Sequence, residues 1–411
     1  MNTKTQIEQA QDVDRLLREK FTNEELYAWM QGEMSRLYYE YYRFAFDTAR
    51  KAEQAMKQEL MRPELDATDF VKFNYWDAGR KGLLSGEALY LDVKRMDLAY
   101  HENNKREYEL TRHVSLRQLA PEALLRLKAT GLSQEFTVPE WLFALDAPNL
   151  YMRRIKNVSV SIPSVTGPYT SVNCTLSLLR STVRTSPALV GDEYPREGSE
   201  DTRFRDYFGA VQSVVTSSGN DDSGLFETNL RDERFLPFEG AGVESTWTLE
   251  LPSAFRQFDY KTIADVVLHI RYTARQGGSH FGDRAVAHLE DLVAEAATSG
   301  LSLMFSLPHE FSTEWHRFVT GTGNFAGTVK RDYFPYFTQG RDVTIQEIRL
   351  FAIVDRELKA VTPGGLDLAA LSGELNNVAD GEIDLSFAPD ATVLVRNASA
   401  AVFLGIRYSL G

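Results

Sequence analysis

The run HEFSTEWH holds the residues of this sequence that are best suited by type to binding a catalytic metal ion, His309, Glu310 and His316. A zinc hydrolase helix places its two histidines four residues apart, so that both face one ion from adjacent turns. Here the histidines are seven residues apart. This spacing favours surface or helix-capping roles, and the sequence therefore predicts no metal site.

Other motifs lack the frame that their chemistry requires. The segment GTGNFAG at 321–327 does not have the spacing of a dinucleotide-binding loop and is predicted to form a turn. Ser85 in GLLSGEA lacks the G-x-S-x-G frame of a nucleophile elbow and lies in a helical pattern. The single cysteine, Cys174, sits in the alternating run VNCTLSLL, which predicts a buried small hydrophobe.

Carboxylates are abundant, and a pair of them can hydrolyse a glycoside when they converge across a sugar. Spacing along a chain does not establish such convergence, so a solvated acidic surface is the simpler interpretation. The net charge of −13 also disfavours binding to duplex nucleic acid. We predict that the chain is not an enzyme and needs no cofactor.

The length of 411 residues and the apolar fraction of 43 % predict an ordered, soluble protein of two or three domains. The N-terminal run MNTKTQIEQAQDVDRLLREK has neither the apolar core of a signal peptide nor a lipidation motif. No apolar run approaches the roughly 18 residues that span a bilayer. We expect that this chain does not cross a membrane by itself.

Residues 4–108 have helical periodicity. Thr22 and Glu25 form a capping box, and apolar residues then recur at helical spacing until Pro63, which predicts one helix of about 40 residues. A second helical pattern, roughly 83–105, is predicted to fold back on the first. Aromatic residues surround the long helix, which indicates either core packing in a bundle or contact with neighbouring copies of the chain. They are Tyr38, Tyr39, Tyr41, Tyr42, Phe44 and Phe46.

From about residue 136 the apolar period changes from about 3.6 to 2, as expected for strands. Alternating runs cover 158–162, 172–178, 247–251 and 266–272, and turn signals separate them. This pattern predicts an antiparallel β-sandwich over residues 136–275. Its most exposed insertion is predicted to be the acidic, glycine-containing loop 187–224.

Residues 276–411 are predicted to form a further β-rich module with a short helix. The helix covers 285–298 and ends at Gly300, and strands are predicted at 301–307, 343–354, 392–396 and 401–410. The runs 266–274 and 402–410 share the pattern V-x-L-x-I-R-Y. Duplicated β modules and parallel use of good strand formers explain this echo equally well.

The predicted fold class is therefore α+β. Long antiparallel helices at the N-terminus, residues 1–110, precede one or two antiparallel β-sandwich-like modules, with residues 111–135 as a connector.

Three blocks of this sequence resemble the C-terminal part of the A component of bacterial Tc toxins. They are YMRRIKNVSVSIPSVTGPYTSVNCTLSLL, FLPFEG and VLHIRYTA, in this order between residues 151 and 274. The run KFTNEELYAWMQGEMSRLYYEYYRFAFDTARKAEQAMKQEL resembles the long channel helix that precedes that part.

In that family, five A chains form a syringe-like channel, and the domain concerned docks the B component, which encloses the toxic cargo together with the C component. The resemblance implies that residues 1–110 correspond to the end of the channel-forming helices and 136–275 to the B-binding domain. It implies the B component and other A chains as partners, and membrane contact through sequence outside this chain. It also implies an extracellular, insecticidal toxin complex that serves virulence.

Two function classes are compatible with these patterns. The first is a non-enzymatic module that docks the B component onto the translocation channel. The second is a carbohydrate-binding or adhesin-like β-sandwich on a helical stalk, and a glycosidase ranks below both.

Protein interfaces concentrate their binding energy in a few aromatic and arginine side chains. Phe235, Phe238 and Arg271 are the candidate docking residues on this basis. The two phenylalanines have the alternative of filling the sandwich core, and Arg271 has the alternative of being an ordinary outward residue on its strand.

Overall fold

The computed structural model divides the chain into two compact units, Met1–Arg106 and Glu107–Gly411. It describes residues 2–20, 23–76, 83–167, 172–215, 225–226, 238–252, 256, 258–335, 338–377, 381–390, 392–397 and 400–411.

The first unit is helical. Its helices are α1 (Asn2–Lys20), α2 (Asn23–Leu60), α3 (Pro63–Asp66) and α4 (Leu83–Asn103). Helix α2 has 38 residues, which agrees with the predicted long helix, and Glu24 and Glu25 in its first turn complement the positive end of the helix dipole. Thr22 of the predicted capping box lies outside the described residues.

Helices α2 and α4 run in the same direction, which corrects the predicted antiparallel pairing. Tyr38 in the first half of α2 lies against Gly86 at the start of α4. Near the ends of the two helices, Tyr100 of α4 donates a hydrogen bond of 3.0 Å to Glu59 of α2. The N-terminal parts of the two helices therefore contact each other, and so do their C-terminal parts.

The chain reverses its direction in the segment that follows α2. It returns along α2, where the buried Glu53 carboxylate accepts hydrogen bonds from the backbone N–H groups of Phe70 and Val71 at 3.0 and 3.2 Å. Further back, Tyr75 donates a 2.6 Å hydrogen bond to Asp92 of α4. Because this return segment is long enough to reach the middle of α2, α4 begins there and proceeds parallel to α2.

The second unit combines helices with antiparallel sheets, and the chain is therefore α+β. Its first elements are β1 (Tyr108–Ser115), α5 (Leu116–Leu119), α6 (Pro121–Thr130), β2 (Phe136–Val138), α7 (Glu140–Ala144), β3 (Leu150–Ser161), β4 (Thr175–Arg184), β5 (Phe204–Val215), β6 (Leu225–Phe226), β7 (Glu244–Glu250) and β8 (Val267–Gln276). They are followed by α8 (Ser279–Ser299), β9 (Leu301–Ser306), α9 (Leu307–Glu310), α10 (Ser312–Thr320), β10 (Phe325–Lys330), β11 (Val343–Val354), β12 (Glu357–Val361), α11 (Leu368–Leu375), β13 (Glu382–Phe387) and β14 (Ala401–Leu410).

Two sheets are built from the strands before α8. The first sheet has the order β1-β8-β3-β6, and the second has the order β2-β7-β4-β5. Side chains alternate between the two faces of a strand, so each sheet presents one apolar face. Trp247 and Leu249 of the second sheet and Ile270 and Tyr272 of the first sheet are fully buried in one shared hydrophobic cluster, to which α6 also contributes.

The third sheet has the order β12-β11-β14-β9, and β10 pairs with β13 beside it. Alternate residues of β14 pack into two different hydrophobic cores. Leu404 and Ile406 lie in a cluster with α10 and α11, whereas Phe403 belongs to the cluster of the first two sheets. The Lys128 ammonium of α6 lies 4.4 Å from the centre of the Phe403 ring, and burial lowers the pKa of Lys128 to about 8. One compact unit thus spans the boundary predicted at residue 276.

The strands that share the pattern V-x-L-x-I-R-Y occupy equivalent positions in their sheets. Strand β8 lies between β1 and β3, and β14 lies between β11 and β9. In each strand the isoleucine and the tyrosine are buried while the arginine between them, Arg271 or Arg407, is exposed. The alternation explains the shared pattern, and duplication stays an open interpretation.

Three segments differ from their predicted structures. Residues 204–215 of the predicted loop form β5, an edge strand paired along β4. The predicted connector contains the end of β1 together with α5 and α6. The predicted strand 392–396 is irregular, because the Asp390 carboxylate accepts the N–H groups of Thr392 and Val393 in a local turn that competes with strand pairing.

Candidate functional site

The residues whose types are suited to catalysis make contacts within the fold. Glu310 ends α9, where its carboxylate contacts the Arg117 guanidinium and the Ser306 N–H, and His316 lies one helix further on. Ser85 is buried within α4. Across the described ranges, no group of three or more His, Cys, Asp or Glu side chains is arranged to hold a metal ion.

A shallow cleft of about 380 Å³ lies beside the start of α8. It contains a hydrogen-bonded pair, His280 Nε2 and Asp192 Oδ1, at 2.8 Å. The other lining residues are Pro187, Ala188, Leu189, Gly277 and Phe281. None of these lining side chains is a nucleophile, so the His280–Asp192 pair has no catalytic partner among them.

The structure describes two of the three predicted docking residues, Phe238 and Arg271. Phe238 is only 3 % exposed, and its ring packs edge-on against Trp247 with 4.9 Å between ring centres. The ring thus lies in the hydrophobic cluster shared by the first two sheets, and a docking role for Phe238 stays a prediction. Arg271 is exposed on the face of the first sheet that points away from this core. Phe235 lies outside the described residues.

The outward side chains of the first sheet form a polar surface, which we call the outer face. It consists of exposed or half-buried residues, namely Thr111, His113, Asn157, Ser159, His269, Arg271 and Thr273. Arg271 lies in register between Thr111 and Asn157 on the neighbouring strands. Beside it, the Lys156 ammonium contacts the Glu109 carboxylate at 2.7 Å. The first sheet thus presents an exposed arginine among polar neighbours.

A buried charge network of Glu140, Arg153 and Arg184 ties α7 to β3 and β4. The Glu140 carboxylate accepts a 3.0 Å hydrogen bond from Arg153 Nη1 and a 2.9 Å hydrogen bond from Arg184 Nη2. Burial alone would raise the pKa of Glu140, but the two guanidinium groups outweigh it and hold that pKa below its ordinary value. These residues are distant in sequence, and no local pattern signals their convergence.

The Arg184 guanidinium is also held between aromatic rings. Its central carbon lies 4.2 Å from the ring centre of Tyr194 and 4.3 Å from that of Phe204. A guanidinium is attracted to the negative face of an aromatic ring, particularly where water is excluded. The segment that joins β4 to β5 is therefore fastened to the buried charge network.

Glu244, at the start of β7, is affected by the same network. Burial and the negative charge of Glu140 raise the pKa of Glu244 from its ordinary value of 4.5 to about 7. Between these two pH values an unfolded chain ionises this group while the folded chain keeps it protonated. Folding is therefore penalised increasingly as the pH rises from 4.5 to 7, and the penalty is complete above pH 7.

Glu244→Gln is expected to remove this penalty. Relative to the unsubstituted chain, the variant should gain about 1–3 kcal/mol of unfolding free energy between pH 4.5 and pH 8. Urea unfolding at several pH values measures the difference. Glu250→Gln, at the exposed end of the same strand, is the control and should show no such trend. A difference for Glu244→Gln that is independent of pH would contradict the prediction.

Helix α2 carries an exposed apolar stripe, which we call the heptad seam. Its residues are spaced alternately three and four apart, and they are Tyr27, Met30, Met34, Leu37, Tyr41 and Phe44. They are between 45 and 73 % exposed. This spacing is typical of a helix that packs against another helix. The opposite stripe, with Tyr42, Ala49 and Met56, is buried within the first unit.

None of the described helices is both long enough and apolar enough to cross a membrane. The described helices of the first unit combine exposed apolar residues with many charged residues.

Several known proteins are similar to this chain over part of its length. Toxin subunit YenA2 of Yersinia entomophaga is 37 % identical over 271 residues, which are 64 % of this chain and 19 % of YenA2. The solved structure of Morganella morganii TcdA4 matches with 24 % identity and a TM-score of 0.44, over 66 % of this chain and 12 % of that one. Yersinia pseudotuberculosis TcaA-TcaB matches with 24 % identity and a TM-score of 0.46, over 66 % and 15 %.

The chain thus spans less than a fifth of the length of the relatives it matches. The family model described as the Tc toxin complex TcA C-terminal TcB-binding domain matches residues 1–274, which is most of the chain. This chain therefore belongs to the family of TcA C-terminal TcB-binding domains of Tc toxin complexes.

Proposed function

We propose that this chain is a non-enzymatic assembly module of a Tc-type toxin A component, in which residues 136–275 dock the B component. The observation that carries the proposal is the family match over residues 1–274, because the family is described by its binding to the B component. The outer face supports it, since Arg271 is an exposed arginine on a β-sheet, and arginine is enriched among residues that dominate binding energy.

Residues 136–275, together with β1, are proposed to form the β-sandwich of this docking domain. The support is the shared hydrophobic cluster of the first and second sheets, which leaves the outer face of the first sheet for contact with a partner. Residues 276–411 would extend this domain, because Phe403 and Met304 enter the same cluster.

The first unit is proposed to be the end of the channel-forming helical region, and the heptad seam its contact with neighbouring copies of the A component. Contiguous exposed apolar surface of this kind marks interaction sites. Contact with a membrane would then involve sequence outside this chain, and the complex would act outside the producing cell as an insecticidal virulence factor.

The distribution of apolar exposure favours assembly over the alternative of a carbohydrate-binding or adhesin-like sandwich on a stalk. Of the 27 exposed large apolar residues in the described part of the chain, 17 lie in the first unit. Exposed aromatic residues beside Asn and Asp at one end of the sandwich would favour a sugar site, whereas the exposed large apolar residues are concentrated in the first unit.

Mass photometry with and without a matching B component tests the proposal. We expect complexes that contain several copies of the 46.5 kDa chain, and an added mass when the B component is present. Arg271→Ala is expected to weaken B-component binding at least about tenfold, roughly 1.4 kcal/mol, without changing the melting temperature.

Arg407→Ala is the matched control, because Arg407 is the exposed arginine of the same sequence pattern on the third sheet. It is expected to leave the affinity unchanged. If Arg271→Ala and Arg407→Ala change the B-component affinity equally, Arg271 is not a specific docking residue. A chain that does not bind the B component at all would refute the docking function.

A further inference from the structure

Two histidines face each other in the middle of the outer face. His113 of β1 and His269 of β8 are paired in the antiparallel register, and their rings are nearly perpendicular, with 4.7 Å between ring centres. The two Nδ1 atoms are 2.5 Å apart. Each side chain therefore directs its Nδ1 atom towards one point above the outer face.

The other nitrogen of His269 is also engaged. Its Nε2 lies 2.7 Å from the hydroxyl oxygen of Ser161 on β3. When Nε2 carries the proton and donates it to this oxygen, Nδ1 of His269 is left with its lone pair facing His113. A histidine that binds a metal typically has its second nitrogen fixed by such a hydrogen bond, which sets the tautomer and the ring orientation.

The 2.5 Å separation brings the two Nδ1 atoms close enough for both to contact a single atom placed beside them. Imidazole is the commonest metal ligand of proteins.

We propose that His113 and His269 form a two-histidine site for a divalent transition metal ion that prefers imidazole, such as Zn²⁺ or Cu²⁺. Such ions lie about 2.0–2.1 Å from each nitrogen, so the pair would have to open by less than ~1 Å, which small rotations of two surface side chains provide. Because His113 is exposed, water can reach the remaining coordination positions.

Two protein ligands imply a weaker site than the closed four-ligand sites that stabilise whole folds, so we expect micromolar affinity. This expectation agrees with the lack of any larger group of potential ligands in the ranges that the structure describes. The site does not depend on docking of the B component, because all three residues belong to the first sheet of this chain.

Titration of the intact chain with Zn²⁺ in competition with a chromophoric chelator tests the site. We expect uptake of one ion per chain, and loss of that ion in His113→Ala and in His269→Ala. His316→Ala, an exposed histidine of α10, is the matched control and should keep full uptake. Ser161→Ala should weaken binding by about 10-fold or more, as loss of an orienting hydrogen bond does.

Cu²⁺ provides a second measurement, because it binds nitrogen sites more tightly than Zn²⁺. Electron paramagnetic resonance of the loaded chain should show two coordinating imidazole nitrogens, and this signal should change in both histidine variants. Unchanged melting temperatures would show that the variants are folded. No stoichiometric uptake, or uptake that survives both histidine substitutions, would overturn the proposal and leave the pair as a hydrogen-bonded contact.

Discussion

Glu140→Gln is expected to cost about 3–5 kcal/mol of unfolding free energy, the cost of removing one charge from a buried ion pair. The side chains of Arg153 and Arg184 are each 2 % exposed, and Glu140 is the carboxylate that both of them bind. Glutamine keeps the shape and one acceptor oxygen, but it removes the negative charge. Two guanidinium groups would then remain buried beside a neutral amide.

Urea unfolding followed by tryptophan fluorescence measures this effect, since Trp141 and Trp247 lie in the second unit. Glu109→Gln is the matched control. Its carboxylate also binds a cation, Lys156, but both side chains are more than a third exposed, so the expected cost is about 0–1 kcal/mol. Equal costs for the two variants would show that burial does not govern the strength of these pairs.

The pH dependence of the Glu140 effect has a definite sign. Because the folded-state pKa of Glu140 lies below the ordinary value of 4.5, its stabilisation is fully present above pH 4.5. It is lost as the pH falls through the folded-state value. The stability difference between the unsubstituted chain and Glu140→Gln should therefore shrink in acid, whereas the penalty at Glu244 develops between pH 4.5 and pH 7.

Elements with long, regular periodicity were predictable from the sequence. The 38 residues of α2 and the strands β11 and β14 lie where the patterns indicated them. In these elements the side chains that face the core recur at a fixed interval, so burial leaves a local trace in the sequence.

The direction of α4 relative to α2 was not predictable in this way. It depends on where the return segment packs, and that is decided by the Glu53 carboxylate capturing two backbone N–H groups from residues 17 and 18 positions later. Such a contact has no period. The local turn at Asp390 is a similar case, because a single side chain overrides the strand propensity of the apolar residues that follow it.

The candidate site was predictable only in part. Alternation along β8 is sufficient to direct Arg271 away from the core, and the resemblance indicated the docking domain. The pairing of His113 with His269 requires the register of two strands that are more than 150 residues apart. The buried charge network requires three separate elements to meet, so only the folded chain reveals either feature.

Phe238→Ala is expected to cost about 3–5 kcal/mol of unfolding free energy, because the substitution empties a site in the core of the second unit. The turn that holds Phe238 is closely packed. Gly242, four residues later, approaches the backbone of Thr182 so closely that a Cβ atom would lie 1.9 Å from the Thr182 carbonyl oxygen. The surrounding segment therefore has little freedom to collapse into the space left by the ring.

The backbone of Phe238 provides an internal check on this interpretation. Its φ of 65° lies in the left-handed region, which a bulky residue rarely adopts and which costs about 1–3 kcal/mol. Phe238→Gly removes the ring and also this strain, so it is expected to be about 1 kcal/mol less destabilising than Phe238→Ala. A glycine variant that is as destabilised as the alanine variant would show that the turn is not strained.

The same variants decide between the two roles that the sequence left open for Phe238. Melting temperature and B-component affinity are measured together, with the affinity taken at a temperature where each variant is folded. A ring that fills the core should lower the melting temperature of both variants while the folded protein keeps its affinity within a few-fold. An affinity loss of at least about tenfold with an unchanged melting temperature would identify Phe238 as a docking residue instead. Because the ring is 3 % exposed and packs against Trp247, we expect the first result, which would leave docking to exposed residues such as Arg271.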